Sequence, residues 1–431
     1  RDIAEERNWS YECVKLLNKY LSKSSRNKMK NIIIVNQAPH GIGPILRAAE
    51  MAQDLYHMLD AEGTGMQYEL VFTEPEKPFL KKVLQNETFA NDKALEHVWL
   101  SPEFGTLVNS FDFSSSDYKD RLENIAANRS NLEAKLLSLL ANGMEAYKLV
   151  KPEDAMKVKQ EDIFCEVNHN PILRTCTNLE HPAFYTTIGL FSDILRYAAD
   201  VNLRYNQPEM QKVVQACMKE GKDIEAGQTL LFVAEPSALT YKGHCNSKEL
   251  WIPPFIRSPA GSTETLKEGV YLNVSGIDSV QKQIVALAKP FMDAGYAVYY
   301  PPSYKQGIEG GIEKAPVEKG VSIFSNPAII AAVGRMGWSS VWEPMMHGSP
   351  FITYEYDEKE DPEMHHNVKT LEQLGLGVVM KTGDEPKAVM ERALALKPGI
   401  KQYLGMLQGK YGTLNGIEYA ARNAYHALRG W

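Results

Sequence analysis

The sequence predicts an α/β protein of two doubly wound domains in series. Three observations carry this. The chain has 431 residues, which is more than one ordinary core accommodates. Two apolar runs rich in β-branched residues, 31–35 and 270–274, each lead through a glycine-containing loop into a helix-periodic segment. That is the opening unit of a doubly wound sheet. Between them, residues 251–259 place Pro253, Pro254 and Pro259 close together, and prolines stiffen and extend a chain.

In chain order, residues 2–21 read as a helix, because Ile3, Trp9, Cys13, Val14, Leu16, Leu17 and Tyr20 recur at helical spacing. A polar, basic linker follows, then the first strand. Its loop runs Asn36-Gln-Ala-Pro-His-Gly-Ile-Gly43, and Pro44 suits the start of the helix over 45–59. Residues 68–73 read as the next strand, 118–140 and 187–203 as helices, 168–182 as a loop and 229–234 as a strand. The stretch from about 75 to 208 gives few clear signals, and we read it as the acceptor-facing part. After the proline-rich boundary come a strand at 270–274, a helix at 279–294 and strands at 296–300 and 321–324. A helix at 328–333, a glycine break at 334–337, a short helix at 339–346 and a strand at 351–354 follow. The domains expected are 1–252, 253–413, and a final amphipathic helix (414–431) crossing back onto the first.

Composition narrows the class. The apolar share is 44% and the charged share 23%, ordinary for a globular protein. A formal net charge of −7 argues against a broad nucleic-acid interface but allows a local anion pocket. The five cysteines show no CxxC spacing, which argues against a disulfide framework or zinc site and favours a reducing, cytoplasmic setting. No apolar run is long enough to span a bilayer, though peripheral membrane contact stays open. The chain begins at Arg1 rather than Met, as a trimmed leader or tag would leave it.

The chemistry concentrates in Arg335-Met-Gly-Trp-Ser-Ser-Val-Trp-Glu-Pro-Met-Met-His-Gly-Ser-Pro350. Gly337 permits close backbone approach to a ligand. Ser339 or Ser340 is expected to cap the following helix. Free N–H groups at a helix start, with its positive dipole end, suit a pyrophosphate. Glu343, about one turn in, can accept both hydroxyls of a ribose, as acidic residues do in dinucleotide sites. Gly348 suits the left-handed cap that ends the helix. Read blandly, the same residues form a strand–helix–strand unit with a surface glutamate, and spacing alone divides evenly between the two.

The segment resembles the donor-binding signature of GT-B glycosyltransferases that use nucleotide diphosphate sugars. The likeness is to the plant-type, sterol-type and peptidoglycan-type N-acetylglucosamine transferases, the inverting UDP-glycosyltransferase group. It rests on Gly337-Trp338-Ser339-Ser340, Glu343, Gly348-Ser349-Pro350, the apolar run 351–354, Glu363-Met-His-His-Asn367 and Gly375-Leu-Gly377. The resemblance implies two Rossmann-like domains facing across a cleft, with hinge closure on donor binding. It implies that Glu343 binds the donor ribose. Gly337, Ser339, Ser340, Ser275 and Gly276 would contact the diphosphate, the turn at Asn326 the base, and Glu363 and Asn367 the donor sugar. Met364 stands where many plant-type members have Gln, and Glu363 reads equally as a solvated acid of the loop 355–363.

Retaining relatives carry a second glutamate ahead of the ribose-binding one. Arg335 stands at that position here, eight residues before Glu343, which favours inversion. Inversion needs a base, and the resemblance points to His40 in the first loop. It lies four residues before Pro44, one more than usual, with Gly41 at the usual spacing. Asp112, Asp117 and His169 are weaker alternatives. His365-His366 makes a poor chelate in a loop, so no metal and no cofactor is expected. The reading is an inverting transferase moving a sugar from a UDP-sugar, with dTDP- or GDP-sugars as alternatives. Its acceptor is a small-molecule, lipid or glycan hydroxyl. The competing readings are a nucleotide-sugar epimerase on the same fold and a non-catalytic nucleotide-sugar-binding protein.

Overall fold

Short, continuously apolar runs become the buried strands of two separate sheets, as parallel sheets covered on both faces require. The computed structural model describes residues 30–36, 42–75, 78–109, 117–169, 181–243, 249–257, 261–274, 278–318 and 321–430. The helix expected over 2–21 lies outside the described residues.

The first sheet uses β1 (Asn31–Asn36), β2 (Tyr68–Thr73), β3 (Val98–Ser101), β4 (Met144–Lys148), β5 (Ala155–Val158), β6 (Ile163–Asn168), β7 (Ala183–Thr187), β8 (Leu230–Ala234) and β9 (Glu249–Ile252). Its strand order is β5-β4-β3-β2-β1-β6-β7-β8-β9. All neighbours pair parallel except β3–β4 and β4–β5, which form an antiparallel edge. The second sheet has the order β12-β11-β10-β15-β16-β17. Its strands are β10 (Gly269–Asn273), β11 (Ala297–Tyr300), β12 (Ile312–Glu313), β15 (Ile329–Gly334), β16 (Phe351–Tyr354) and β17 (Gly377–Met380), all parallel. A separate antiparallel ladder joins β13 (Val317–Glu318) to β14 (Val321–Ser322).

Six helices matter for the site. They are α1 (Ile42–Asp60), α2 (Tyr118–Asn142), α3 (Pro208–Ala226), α4 (Trp338–Met346), α5 (Pro362–Gln373) and α6 (Gly416–Arg429). α6 packs on α1 and on the β8 and β9 side of the first sheet. Its start sits against the proline linker: Gly416 N–H donates to Pro254 O at 3.1 Å, and a Cβ on Gly416 would come within 2.4 Å of both proline carbonyls. One apolar cluster runs without a break from Ile33 and Val35 on the first sheet and Leu55 on α1 to Trp338, Trp342 and Ile417.

The structure corrects five expected elements. Residues 328–333, expected as a helix, instead supply most of the central strand β15 (Ile329–Gly334), buried along its whole length. Alanines gave the run a helical look, but six apolar residues between Pro327 and Gly334 fit a strand buried on both faces. Residues 187–203 are not one helix: β7 ends at Thr187, a short helix covers Phe191–Arg196, and 3-10 turns follow. The helix expected over 279–294 is two, Asp278–Ala286 and Ala288–Asp293. Pro290 lacks the N–H that would bond the carbonyl of Ala286, and its ring crowds that carbonyl. Of the strand expected over 321–324, only Val321–Ser322 pairs, and Ile323–Ser325 is a 3-10 turn. The acidic loop over 355–363 ends early, because Asp361 caps α5 through Glu363 N–H at 2.8 Å and Pro362 opens the helix. Glu363, His365, His366 and Asn367 are therefore helical.

Candidate functional site

In an open parallel sheet, ligands bind beyond the carboxyl ends of the strands, where the strand order reverses. In the first sheet that point lies between β1 and β6, which end at Asn36 and Asn168. His169 N–H donates to Asn36 O at 3.1 Å and ties the two ends together. The loop carrying His40 follows Asn36 and lies outside the described residues. In the second sheet the point lies between β10 and β15. Ser275 and Gly276 follow β10 and also lie outside the described residues. Arg335–Gly337 follows β15 and leads into α4.

α4 starts at Trp338, earlier than expected, so neither Ser339 nor Ser340 caps it. Gly337 is the cap residue, in extended conformation, and no side chain caps the helix. Both serines fall in the first turn, part-exposed beside the uncapped start. At the other end Gly348 takes the left-handed conformation at φ 74°, and its N–H donates to Met345 O at 2.8 Å, as the sequence predicts.

Asn367 organises the approach to this helix. It is fully buried on α5. Its Oδ1 accepts from Trp338 Nε1 at 2.6 Å, and its Nδ2 donates to Met336 O at 3.1 Å and to Glu363 Oε1 at 3.0 Å. The loop, the helix start and Glu363 are thereby locked to one amide. Burial, with Asp361 nearby, pushes the Glu363 carboxyl up, while Asn367, Arg335 and Arg121 of α2 oppose the rise. Arg335 lies 3.7 Å from Glu360 Oε1, so its charge faces the acidic turn before α5.

Glu343 is half-buried on α4, and Ser322 Oγ donates to its Oε1 at 3.3 Å. Burial pushes its carboxyl up to about 6; Arg47 and the Ser322 hydroxyl pull it down, and Glu50 raises it. Arg47 and Glu50 come from α1 of the first domain, paired to each other at 2.8 Å. α1 and α4 meet at Gly43, where a Cβ would lie 3.2 Å from Ser339 Oγ. On its far side α4 is held by Trp342 Nε1, which donates to Pro236 O at 2.8 Å. His169 stacks on Phe255 with ring centres 5.9 Å apart, and its Nδ1 lies 3.1 Å from Thr186 Oγ1. Burial, helped by Arg47, pushes His169 down to about 4, so its imidazole is neutral at neutral pH.

Other expected residues have visible structural roles. Asn326 is buried, donates through Nδ2 to Glu264 O at 2.5 Å and accepts Ala328 N–H at 3.0 Å. Its side chain fixes the turn after the 3-10 segment. Asp117 caps α2 and pairs with Arg204 at 2.6 Å, which holds its carboxyl below the usual range. Asp112 lies outside the described residues. His366 is buried on α5, 2.7 Å from the Tyr241 hydroxyl of the first domain. Among the described residues no three His, Cys, Asp or Glu side chains converge into a metal-holding group.

Sequence reasoning missed Ser322 and Arg47. Ser322 stands 21 residues before Glu343, and no spacing rule connects them. Arg47 carried a signal: a basic residue one turn past Gly43, on the helix that leaves the expected ligand-binding edge.

No protein-family model matches the chain, and no curated protein matches it in sequence. Solved structures do match in fold. A glycosyltransferase from Streptomyces nogalater superposes with TM-score 0.52 at 14% identity, covering 93% of this chain and 100% of the other. A UDP-glucose:anthocyanidin 3-O-glucosyltransferase in complex with UDP gives 0.56 at 11% identity, covering 93% and 99%. A UDP-glucosyltransferase from Polygonum tinctorium capable of glucosylating indoxyl gives 0.55 at 13% identity, covering 94% and 100%. The chain has the GT-B fold, two sheets of mainly parallel strands flanked by helices, over nearly its whole length. Among the described residues no helix is long and apolar enough to cross a membrane.

Proposed function

We propose that this chain is an inverting glycosyltransferase that moves a sugar from a nucleotide diphosphate sugar to an acceptor hydroxyl. A UDP-sugar is the favoured donor, with dTDP- and GDP-sugars as alternatives. The observation that carries the reading is Glu343. It is a half-buried carboxylate held by Ser322 Oγ, one turn inside the helix that follows β15, whose start no side chain caps. That combination suits a ribose followed by a diphosphate. The fold likeness supports it, since a neighbour at 93% coverage is in complex with UDP.

In this reading Glu343 accepts the ribose hydroxyls, and the start of α4 with Ser339 and Ser340 receives the diphosphate. Ser275 and Gly276 complete the cradle from the loop after β10. Glu363, held by Asn367, faces the donor sugar. The acceptor oxygen attacks the anomeric carbon as the bond to the diphosphate oxygen breaks. His40 removes the acceptor proton. The positive end of α4 stabilises the leaving diphosphate, so this chemistry calls for no metal ion. The acceptor, a small-molecule, lipid or glycan hydroxyl, enters from the first-domain side.

A thermal-shift panel of UDP, dTDP, GDP and their glucose derivatives tests the donor assignment. One nucleotide is expected to raise the melting temperature clearly above the others. No shift with any of them removes the reading. With the donor known, His40→Ala is expected to abolish transfer while leaving the shift in place; unchanged turnover excludes His40 as base.

A further inference from the structure

We propose that Arg47 is a donor-binding residue supplied by the first domain, taking a phosphate oxygen of the nucleoside diphosphate at the start of α4. This rests on the reading of α4 and Glu343 as the nucleotide site.

Placement comes first. α1 leaves the strand-order reversal of the first sheet and brings its first turn against α4, with Gly43 next to Ser339. Residues four apart share a helix face, so Arg47 lies one turn beyond Gly43 on the side turned to α4. Its charge acts on Glu343 of the second domain and on His169 of the first. It therefore lies close enough to both Glu343 and His169 to influence their charge.

The chemistry comes second. The Arg47 side chain is 13% exposed. One nitrogen, Nη1, donates to Glu50 Oε2 at 2.8 Å. Its Nε is buried and has no hydrogen-bond partner among the described residues. A buried guanidinium with unfilled donors is unfavourable until an anion takes them. Its planar fork suits a phosphate, which accepts two parallel bonds. Glu50 fixes the direction of the arm. Arg257 in the linker holds two neighbouring polar side chains of α1: its Nη2 donates to Gln53 Oε1 at 3.0 Å and to the Asp54 carboxylate. The same nitrogen reaches the Glu50 backbone carbonyl at 3.2 Å, while the Glu50 carboxylate pairs with Arg47. An arginine from the opposite domain also explains a second feature. α4 carries no basic residue in its first turn, so the helix end alone would face the diphosphate charge from the second domain.

The test is calorimetric titration of UDP, dTDP, GDP and uridine into the wild type and into Arg47→Ala, Arg47→Gln and Arg47→Lys. Removing a charge-assisted bond to phosphate is expected to weaken binding of the preferred nucleoside diphosphate about tenfold or more. Uridine, which has no phosphate, is expected to change less than about twofold in the same variants. Lysine is expected to recover part of the loss, as a point charge without the fork. Should the Ala variant fail to fold, the Gln and Lys pair carries the comparison at similar side-chain length. Equal diphosphate affinity in wild type and Gln variant overturns the proposal and leaves the site reading standing. Equal loss for diphosphate and uridine also overturns it, because Arg47 would then act through Glu343. A wild type that binds none of the three diphosphates overturns the site reading and this proposal together.

Discussion

Replacing Asn367 by leucine removes three hydrogen bonds from one nearly isosteric side chain. The bonds are Trp338 Nε1 to Oδ1 at 2.6 Å, and Nδ2 to Met336 O at 3.1 Å and to Glu363 Oε1 at 3.0 Å. The residue is fully buried, so water cannot replace the lost partners without opening the helix pair. Each neutral bond contributes about 1 kcal/mol net, and the bond to a carboxylate about 1.5–3 kcal/mol. The expected loss is about 4 kcal/mol, in the range reserved for broken buried networks. Urea unfolding followed by tryptophan emission reads it, because Trp338 and Trp342 stack at 6.3 Å beside the substitution. A two-domain chain need not unfold in one step, so the transition that moves this emission is the one to compare. Asn367→Asp separates the polar bonds from packing. It keeps an acceptor for Trp338 but sets a second carboxylate against Glu363 and a carbonyl, and is expected to cost at least as much as leucine. A leucine variant that loses less than about 1 kcal/mol refutes the idea that this amide is the joint of the loop.

Two further outcomes follow from buried carboxylates. In its proposed role Glu343 accepts both ribose hydroxyls best when ionised, and burial pushes its carboxyl up to about 6. Uridine affinity is therefore expected to rise as pH increases through about 6, and Glu343→Gln to flatten and weaken the profile; a flat wild-type profile excludes the ribose role. On α3, burial pushes Glu225 up from 4.5 to about 7, while it accepts Ser192 N–H at 3.1 Å and the Ser192 hydroxyl. The folded state then holds a proton that the unfolded state releases, so stability falls as pH rises from about 4.5 through about 7. Glu225→Gln is expected to remove that slope from melting temperatures measured across the range; an unchanged slope assigns it to another group.

How much of this was legible depends on whether the cause was local. The first strand was, since Ile32, Ile33, Ile34 and Val35 are β-branched and buried together. The helix around Glu343 was in part as well, because Gly337 and Gly348 mark its two ends locally, although neither serine caps it. β15 was not, because Ala331 and Ala332 carry a helical preference that sheet burial overrides. The strands β3 to β5 were not, because they are four or five residues long with few flanking signals. Within the site, the sequence reading placed Asn367 at the donor sugar and left its internal partners unread. Its resemblance to a sugar-contact position gave no hint that all its side-chain groups are engaged by Trp338, Met336 and Glu363. Those partners come from sequence separations of 29, 31 and 4, and only the last is a helical repeat.

Reassigning 328–333 from helix to strand changes the functional argument itself. With β15 beside β10, the Arg335–Gly337 loop stands at the strand-order reversal of the second sheet. The ends of β1 and β6 hold the matching position in the first sheet. α4 is then gripped from both sides by the first domain, at Ser339 by Gly43 and at Trp342 by the Pro236 carbonyl. α5 is gripped by it too, through Tyr241 on His366 and through the Thr370 hydroxyl, which donates to Ala238 O at 2.7 Å. The two helices that carry Glu343 and Glu363 therefore belong to the second sheet by connection and touch the first by packing. Opening the cleft breaks the bonds of Trp342, His366 and Thr370 to the first domain together, and they lie on the same helices as the proposed ribose and sugar contacts. In the proposed reading the donor contacts and the packing between the two domains share these helices, so Trp342→Phe, which removes the bond to Pro236 together with part of the buried indole stacked on Trp338, bears on both.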